Sequence, residues 1–243
     1  MYNIVKRIIK NSIPKRLVYK IEPFLRKLYS YSKKGNNHLC VICNFKMKEW
    51  VQLPNQDNLC PNCGSLSRDR RLYYILKEKY LSKNYTILDF SPSRSLFRKL
   101  KKEKNIDYLT SDLSGDFIAD TKYDITNIPK DTNSFDLILC YHILEHVIDD
   151  QKAISELYRV LKPCGAILIQ TPFKEGEIYE DYTITSEKER FMHFGQEDHV
   201  RVYSVLGLKE RLQKVGFKIE VSQFKKDEYF GFSDNESVLI AKK

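Results

Sequence analysis

The sequence predicts an α/β protein: a doubly wound, mostly parallel sheet with a small cysteine module and a basic helix in front. Three observations predict it. From residue 85 onward, short apolar runs alternate with stretches of helical period. Asp89 and Asp112 close the first two runs, and acids at strand ends suit a nucleoside-like ligand in such sheets. Residues 135–140, FDLILC, read as a buried parallel strand. The run breaks at Tyr141 and His142, which places polar residues at the strand's carboxyl end.

Composition bounds the remainder. The chain of 243 residues has room for one large domain, or one domain and a small module, and 42% apolar residues suffice for a core. It contains no apolar run of about eighteen residues, as a membrane span requires, and its N-terminus lacks the continuous apolar stretch of a secretory signal. The net charge of +9 is carried by residues 1–36, which hold ten Lys/Arg against one acid, Glu22; the remaining residues balance. An argument for anionic partners therefore applies to the tail and not to the body. Six cysteines, four of them in two C-x-x-C pairs, favour a reducing, cytoplasmic compartment and metal-bound thiolates over a disulfide framework.

Taken in order, residues 1–36 form a basic amphipathic segment of one helix, or of two short ones separated at Pro14. Leu17, Val18, Ile21, Phe24, Leu25 and Leu28 recur at three- and four-residue steps among lysines and arginines. Such a helix packs on its own domain, lies peripherally on an anionic membrane surface, or tracks the phosphates of a nucleic acid. A transit peptide fits less well, because lysine outnumbers arginine and serine is scarce.

Residues 37–67 form the cysteine module. Cys40 and Cys43 are separated by sixteen residues from Cys60 and Cys63, the spacing of a zinc ribbon whose two knuckles present four thiolates to a structural Zn²⁺. Gly64 suits the positive backbone angle that such a knuckle wants. Cys140 and Cys164 stand alone and read as core or near-site residues. Residues 68–84 hold a connecting helix, with Leu72, Ile75, Leu76 and Tyr80 on one side. Within residues 85–243 the predicted strands cover 85–90, 107–111, 135–140, 166–171, 217–222 and 237–241, with 119–126 carrying Asp120 and Asp124. Helices are predicted at 93–104 and 150–161, and from a cap at Ser204 to Gly216; residues 162–165 read as a turn.

These residues carry a family resemblance. The ordered series is Asp89 with the loop Ser91-Pro92-Ser93, Asp112, Asp124 five residues before Pro129, Ser134-Phe135-Asp136, Glu145-His146-Val147, and Arg159-Val160-Leu161-Lys162-Pro163. It resembles the class I S-adenosylmethionine-dependent methyltransferases, specifically the type 11, UbiE-like group, over residues 85–243. The resemblance implies a seven-stranded, Rossmann-like methyltransferase sheet that binds S-adenosylmethionine. It implies that Asp112 accepts from the ribose hydroxyls and that Asp124 takes the adenine amino group, with Ile125 beside the ring. Asp89 and its loop, including Ser91 and Ser93, would hold the methionine portion, and Cys140 to His142 would line the methyl-donor pocket. The family loop is usually glycine-rich; here serines occupy both glycine positions around Pro92, which removes a backbone donor. The serine hydroxyls and the following helix N-terminus could meet the amino acid's carboxylate.

Methyl transfer chiefly needs in-line positioning, and a hydroxyl acceptor also needs a base. His199, in the segment where this group builds its acceptor pocket, is the first candidate and His146 the second; His193 and Arg201 are weaker. Both histidines also have a purely structural reading. The segment 142–146 matches the H-x-x-E-H metalloprotease motif, which needs a long helix and here follows a strand directly. Residues 175–181, rich in acids and tyrosine, suggest a lid.

The expected function is methyl transfer from S-adenosylmethionine to a small-molecule or glycan-type acceptor at oxygen, with structural zinc in the ribbon. Two alternatives remain open: an RNA methyltransferase gripping RNA with ribbon and tail, and a non-catalytic zinc-ribbon interaction protein with a degenerate methyltransferase body.

Overall fold

The computed structural model describes residues 15–243. The part of the basic segment before Lys15, with the break expected at Pro14, lies outside the described residues. In chain order the elements are α1 (Lys15–Tyr31), β1 (Lys34–Leu39), β2 (Lys46–Met47), β3 (Val51–Gln52), β4 (Asn58–Leu59) and α2 (Ser67–Lys79). Then come β5 (Tyr85–Phe90), α3 (Arg94–Leu100), β6 (Ile106–Ser111), β7 (Phe135–Tyr141), a 3₁₀ turn (Leu144–His146) and α4 (Asp150–Val160). The chain continues through β8 (Leu161–Gln170), β9 (Tyr179–Glu180), α5 (Glu187–Phe194), β10 (Arg201–Val202), α6 (Val205–Val215), β11 (Lys218–Phe224) and β12 (Glu236–Lys242).

The linear boundaries expected at residues 36, 67 and 84 are not those of the units the chain forms. One unit joins the described residues up to 80 with 93–102 and 225–234; the other holds 81–92, 103–224 and 235–243.

In the first unit, β1 pairs with β2 and β3 with β4, both antiparallel. Strands of two residues cannot bury a core, and a fully buried arginine organises this unit. Arg70 donates to the carbonyls of Asn58 (3.0 Å), Ser65 (2.7 Å), Phe230 (2.9 Å) and Gly231 (2.5 Å), and lies 4.1 Å from the centre of the Trp50 ring. These bonds tie α2 to the cysteine module and to the loop 225–234. On α1, Glu22 pairs with Arg26, Arg94 and Arg98, while Leu17, Ile21, Phe24, Leu25 and Leu28 are 41–64% exposed. The charged face thus makes the contacts, and the apolar stripe faces outward.

The second unit contains a six-stranded sheet of order β11-β12-β8-β7-β5-β6. The pairs β5–β6, β5–β7 and β7–β8 are parallel, and β12 is antiparallel to both its neighbours. Central β7 is buried on both faces, with Leu137, Ile138 and Leu139 fully buried, as its continuous apolar run requires. On α4, Ala153, Ile154, Leu157 and Val160 turn inward, and the Asp149 side chain caps the helix through Lys152 N. Ser204 caps α6, and Gly216, at φ 113°, ends it.

Three details correct the expectation. The sheet has six strands and not seven: residues 119–126 contribute only a bridge from Thr121 to Ser111. The Asp120 carboxylate accepts from the Thr110 backbone N–H and hydroxyl of edge strand β6, and Asp124 bonds its own turn through Thr126; both take donors that a further ladder would use. The predicted turn at 162–165 lies inside β8, where a register shift near Phe135 absorbs Cys164 at φ 63°. Residues 142–147 make only a 3₁₀ turn, with His142 at φ 56°, so the long helix of a metalloprotease motif is absent.

Candidate functional sites

Each C-x-x-C pair ends in a left-handed residue that closes its knuckle. Asn44 (φ 56°) donates to the Cys40 carbonyl at 2.8 Å, and Gly64 (φ 76°) to the Cys60 carbonyl at 3.0 Å. The Gly64 conformation is the one the sequence predicts; Asn44 plays the same part in the first knuckle, as a residue type that also tolerates this region. The four sulfurs converge within 4.8 Å, with Cys40–Cys63 at 3.6 Å and Cys43–Cys60 at 3.8 Å. A regular tetrahedron with Zn–S of about 2.3 Å has S···S edges of about 3.8 Å, so the sulfurs fit a zinc ion. Buried Ser65 places its hydroxyl 3.2 Å from Cys63 Sγ and 3.4 Å from Cys40 Sγ. Hydrogen bonds from the neighbouring thiols hold the Cys40 thiol well below its ordinary range, and burial lowers the pKa of nearby Arg70, an effect that the charge at the cysteine cluster only partly offsets.

In the second unit, polar residues gather at the carboxyl ends of the parallel strands. Asp89 ends β5 almost fully buried and accepts from Tyr108 Oη at 2.6 Å. Ser91 occupies the left-handed region (φ 50°) at a position that family members give to glycine, and its hydroxyl donates to Asp112 Oδ1 at 2.8 Å. Asp112 also accepts from Ser114 Oγ (3.0 and 3.2 Å) and Phe117 N (3.2 Å). The Ser114 and Phe117 donors belong to the largely exposed turn 113–117. Asp124 is exposed and Ile125 buried beside it. Cys140 lies in the apolar core, where burial pushes its thiol up. Ser93 belongs to the first unit and caps α3 by accepting from Leu96 N at 3.4 Å.

The strongest convergence follows β7. Glu145 is 1% exposed, with Oε1 3.2 Å from His142 Nδ1. Burial raises its carboxyl pKa, but hydrogen bonding and charge from His142 outweigh this and leave it below the usual range. His146 Nδ1 faces Asp198 Oδ2 at 3.2 Å, and the His146 and His199 rings meet edge to face, centroids 4.6 Å apart. His199 is 4% exposed and donates from Nδ1 to the Phe194 carbonyl at 3.2 Å, which leaves a lone pair on Nε2. Burial, and then His146, hold its pKa below the imidazole norm.

Arg201, a weak catalytic candidate by sequence, has a different place. Fully buried, it donates to the carbonyls of Leu144 (3.1 Å), Val147 and Ile148 (2.8 Å) and pairs with Glu180 at 2.9 Å. Asp150, Glu180, Tyr203 and Arg211 complete the network. Glu180 in β9 is therefore pinned, and that part of the expected lid is tied down. His193 is exposed and bonded to Tyr179 at 2.6 Å. The sequence marked the cysteines by spacing and Glu180 only as part of an acidic lid; nothing in it marked Arg70 or Arg211, because their partners, backbone carbonyls and distant carboxylates, leave no pattern.

A parallel sheet with β12 reversed, acids closing β5 and β6, and a polar cluster after β7 together define the class I S-adenosylmethionine-dependent methyltransferase architecture. Residues 66–221 match the family described as "Methyltransferase domain", and the chain belongs to that family. An S-adenosylmethionine-dependent methyltransferase from Archaeoglobus fulgidus has a similar fold, with a TM-score of 0.53 at 20% identity over 72% of this chain and 93% of that one. An uncharacterized protein of Methanocaldococcus jannaschii is 30% identical over 142 residues, 54% of this chain and 62% of its own. The ubiquinone biosynthesis O-methyltransferase of Coxiella burnetii is 38% identical over 61 residues, 25% of this chain and 26% of its own. The chain thus spans less than two thirds of these two curated relatives.

Proposed function

We propose that the chain transfers the methyl group of S-adenosylmethionine to a hydroxyl oxygen of a small-molecule or glycan-type acceptor. The observation that carries this reading is His199: a buried imidazole kept neutral, with its Nε2 lone pair directed to the polar cluster at the carboxyl edge of the sheet. In the transfer, the acceptor oxygen forms a bond to the methyl carbon and the sulfonium S–C bond breaks. S-adenosylhomocysteine leaves, and the acceptor proton passes to His199 Nε2, with His146 second in line. Asp112 serves the ribose, Asp124 and Ile125 the adenine, Asp89 and Ser91 the methionine portion, and His142 the wall beside the methyl group, whereas Cys140, expected there, lies in the apolar core. The O-methyltransferase relative supports oxygen as the acceptor atom. Incubating the chain with one Zn²⁺ per chain, held by the cysteines, with labelled S-adenosylmethionine and a panel of phenols, sugars and glycolipid headgroups tests this. Label transferred to a hydroxyl by wild type, and lost in His199→Gln, is the expected result; transfer only to nitrogen or to RNA rules the reading out.

We assign a structural Zn²⁺ to Cys40, Cys43, Cys60 and Cys63, on the sulfur separations above. When bound, the ion cross-links the two knuckles. For α1, the exposed apolar stripe with its flanking lysines supports peripheral docking on an anionic membrane over packing inside the unit or tracking RNA phosphates.

A further inference from the structure

Glu145, His146 and His199 hold more lone pairs than a single general base requires. Each offers one ligand atom, and the three atoms lie within 4.8 Å of one another. Glu145 Oε2 and His199 Nε2 are buried without a hydrogen-bond partner among the described residues. The Phe194 carbonyl only accepts, so a neutral His199 carries its proton on Nδ1 and leaves Nε2 an acceptor, like the Glu145 carboxylate. Buried acceptors gathered in this way call for a positive charge, since an uncompensated buried polar group is costly. A carboxylate and two imidazoles with ligand atoms within 4.8 Å of one another suit a cation.

The imidazoles are held in the sense that ligation needs. His199 Nδ1 is on a carbonyl and His146 Nδ1 is on the Asp198 carboxylate, which leaves Nε2 of each ring as the donor atom. Metal-binding histidines are commonly oriented in this way. His142 Nδ1 steadies Glu145 Oε1 at 3.2 Å. The backbone is fixed as well: Val200 N donates to the Glu145 carbonyl at 2.9 Å, and Arg201 holds the carbonyls on both sides of that turn.

We infer that Glu145, His146 and His199 form a binding site for a divalent first-row transition cation. Zinc is the best match to one carboxylate and two imidazoles with positions left for oxygen ligands. The site is separate from the four cysteines and does not depend on the acceptor. Its role in catalysis rests on the proposed oxygen transfer. With the ion bound, His199 is a ligand, and a coordinated acceptor hydroxyl, its pKa lowered, gives its proton to water before attack on the methyl carbon.

The full chain, with one Zn²⁺ already in the cysteine site, is titrated with Co²⁺ and separately with Zn²⁺ by calorimetry, and bound metal is counted after gel filtration. The expected result is one further ion per chain, weakened about tenfold or more in His146→Ala and lost in Glu145→Gln, with the thiolate-bound ion retained by both. His146 is only partly buried, and far-ultraviolet circular dichroism checks that this variant is folded. No second ion in wild type, or a second ion bound equally by both variants, overturns the inference. A second ion without methylation of any hydroxyl keeps the site and removes the oxygen-transfer reading.

Discussion

Replacing Arg201 by lysine tests whether the turn bearing Glu145 and His146 is positioned from beneath. The guanidinium spans three backbone carbonyls and the Glu180 carboxylate while fully buried. An ammonium is a point donor, and at best it keeps Glu180 and one carbonyl. The Leu144 carbonyl keeps Val147 N as a donor, so the loss falls on one or both of the Val147 and Ile148 carbonyls, at about 1–2 kcal/mol each, or about 1–4 kcal/mol in all. For a chain of this size that lowers Tm by about 2–15 °C. The turn also loosens, and displacement of catalytic groups by about 1 Å costs about a hundredfold in rate. The expected kcat is therefore about ten- to a hundredfold lower, with KM for S-adenosylmethionine little changed, because Asp112 stands on a different strand. Differential scanning fluorimetry and steady-state kinetics read both effects. A Tm within about 2 °C of wild type, together with unaltered kcat, would refute the reasoning.

Three further outcomes follow from other parts of the molecule. Structural zinc supplies about 10–16 kcal/mol of apparent folding energy in small modules. Cys60→Ser, or chelation, should therefore unfold residues 15–80 to proteolysis, and an unchanged digestion pattern would contradict the zinc assignment. The His199 pKa is depressed in the folded protein, so the unfolded chain takes up the proton first as pH falls. This contribution to stability is full above the ordinary imidazole value of about 6.5 and is lost as pH drops through the window down to the folded value. In metal-free protein the methylation rate should be flat through neutrality and fall with a midpoint below about 6.5; a midpoint above it contradicts the neutral-imidazole account. Burying an apolar side chain is worth about 1.5–3 kcal/mol, so Phe24→Glu on the exposed face of α1 should weaken sedimentation with phosphatidylserine vesicles about tenfold or more. Intact vesicle binding, or binding of duplex RNA alone, contradicts the membrane assignment.

Legibility in the sequence divided along physical lines. Parallel strands buried on both faces announce themselves as apolar runs, so β5 and β7 were readable within a residue. Helix caps at Ser204 and Gly216 were readable because side-chain and glycine requirements there are local. The cysteine cluster was readable because its geometry is encoded in spacing. The expected seventh strand failed because Asp120 takes the Thr110 N–H of β6 and Asp124 bonds its own turn, which periodicity cannot register. At the candidate site, Glu145, His146 and His199 could be named, but their convergence depends on contacts fifty residues apart in sequence. The roles of Arg201 and Arg70 were hidden for the same reason: both act through backbone carbonyls, which every residue carries. Ser91 was marked by its departure from glycine, and the structure adds that its hydroxyl is spent on Asp112.

The central claim is that this sheet binds S-adenosylmethionine through the acid at the end of β6. Isothermal calorimetry of the zinc-replete full chain with S-adenosylmethionine and S-adenosylhomocysteine tests it most directly, with Asp112→Ala alongside. Saturable binding of one molecule per chain is expected, lost or weakened about a hundredfold in the variant as two charge-assisted hydrogen bonds disappear. No binding by the wild type, or equal binding by folded Asp112→Ala, would contradict it.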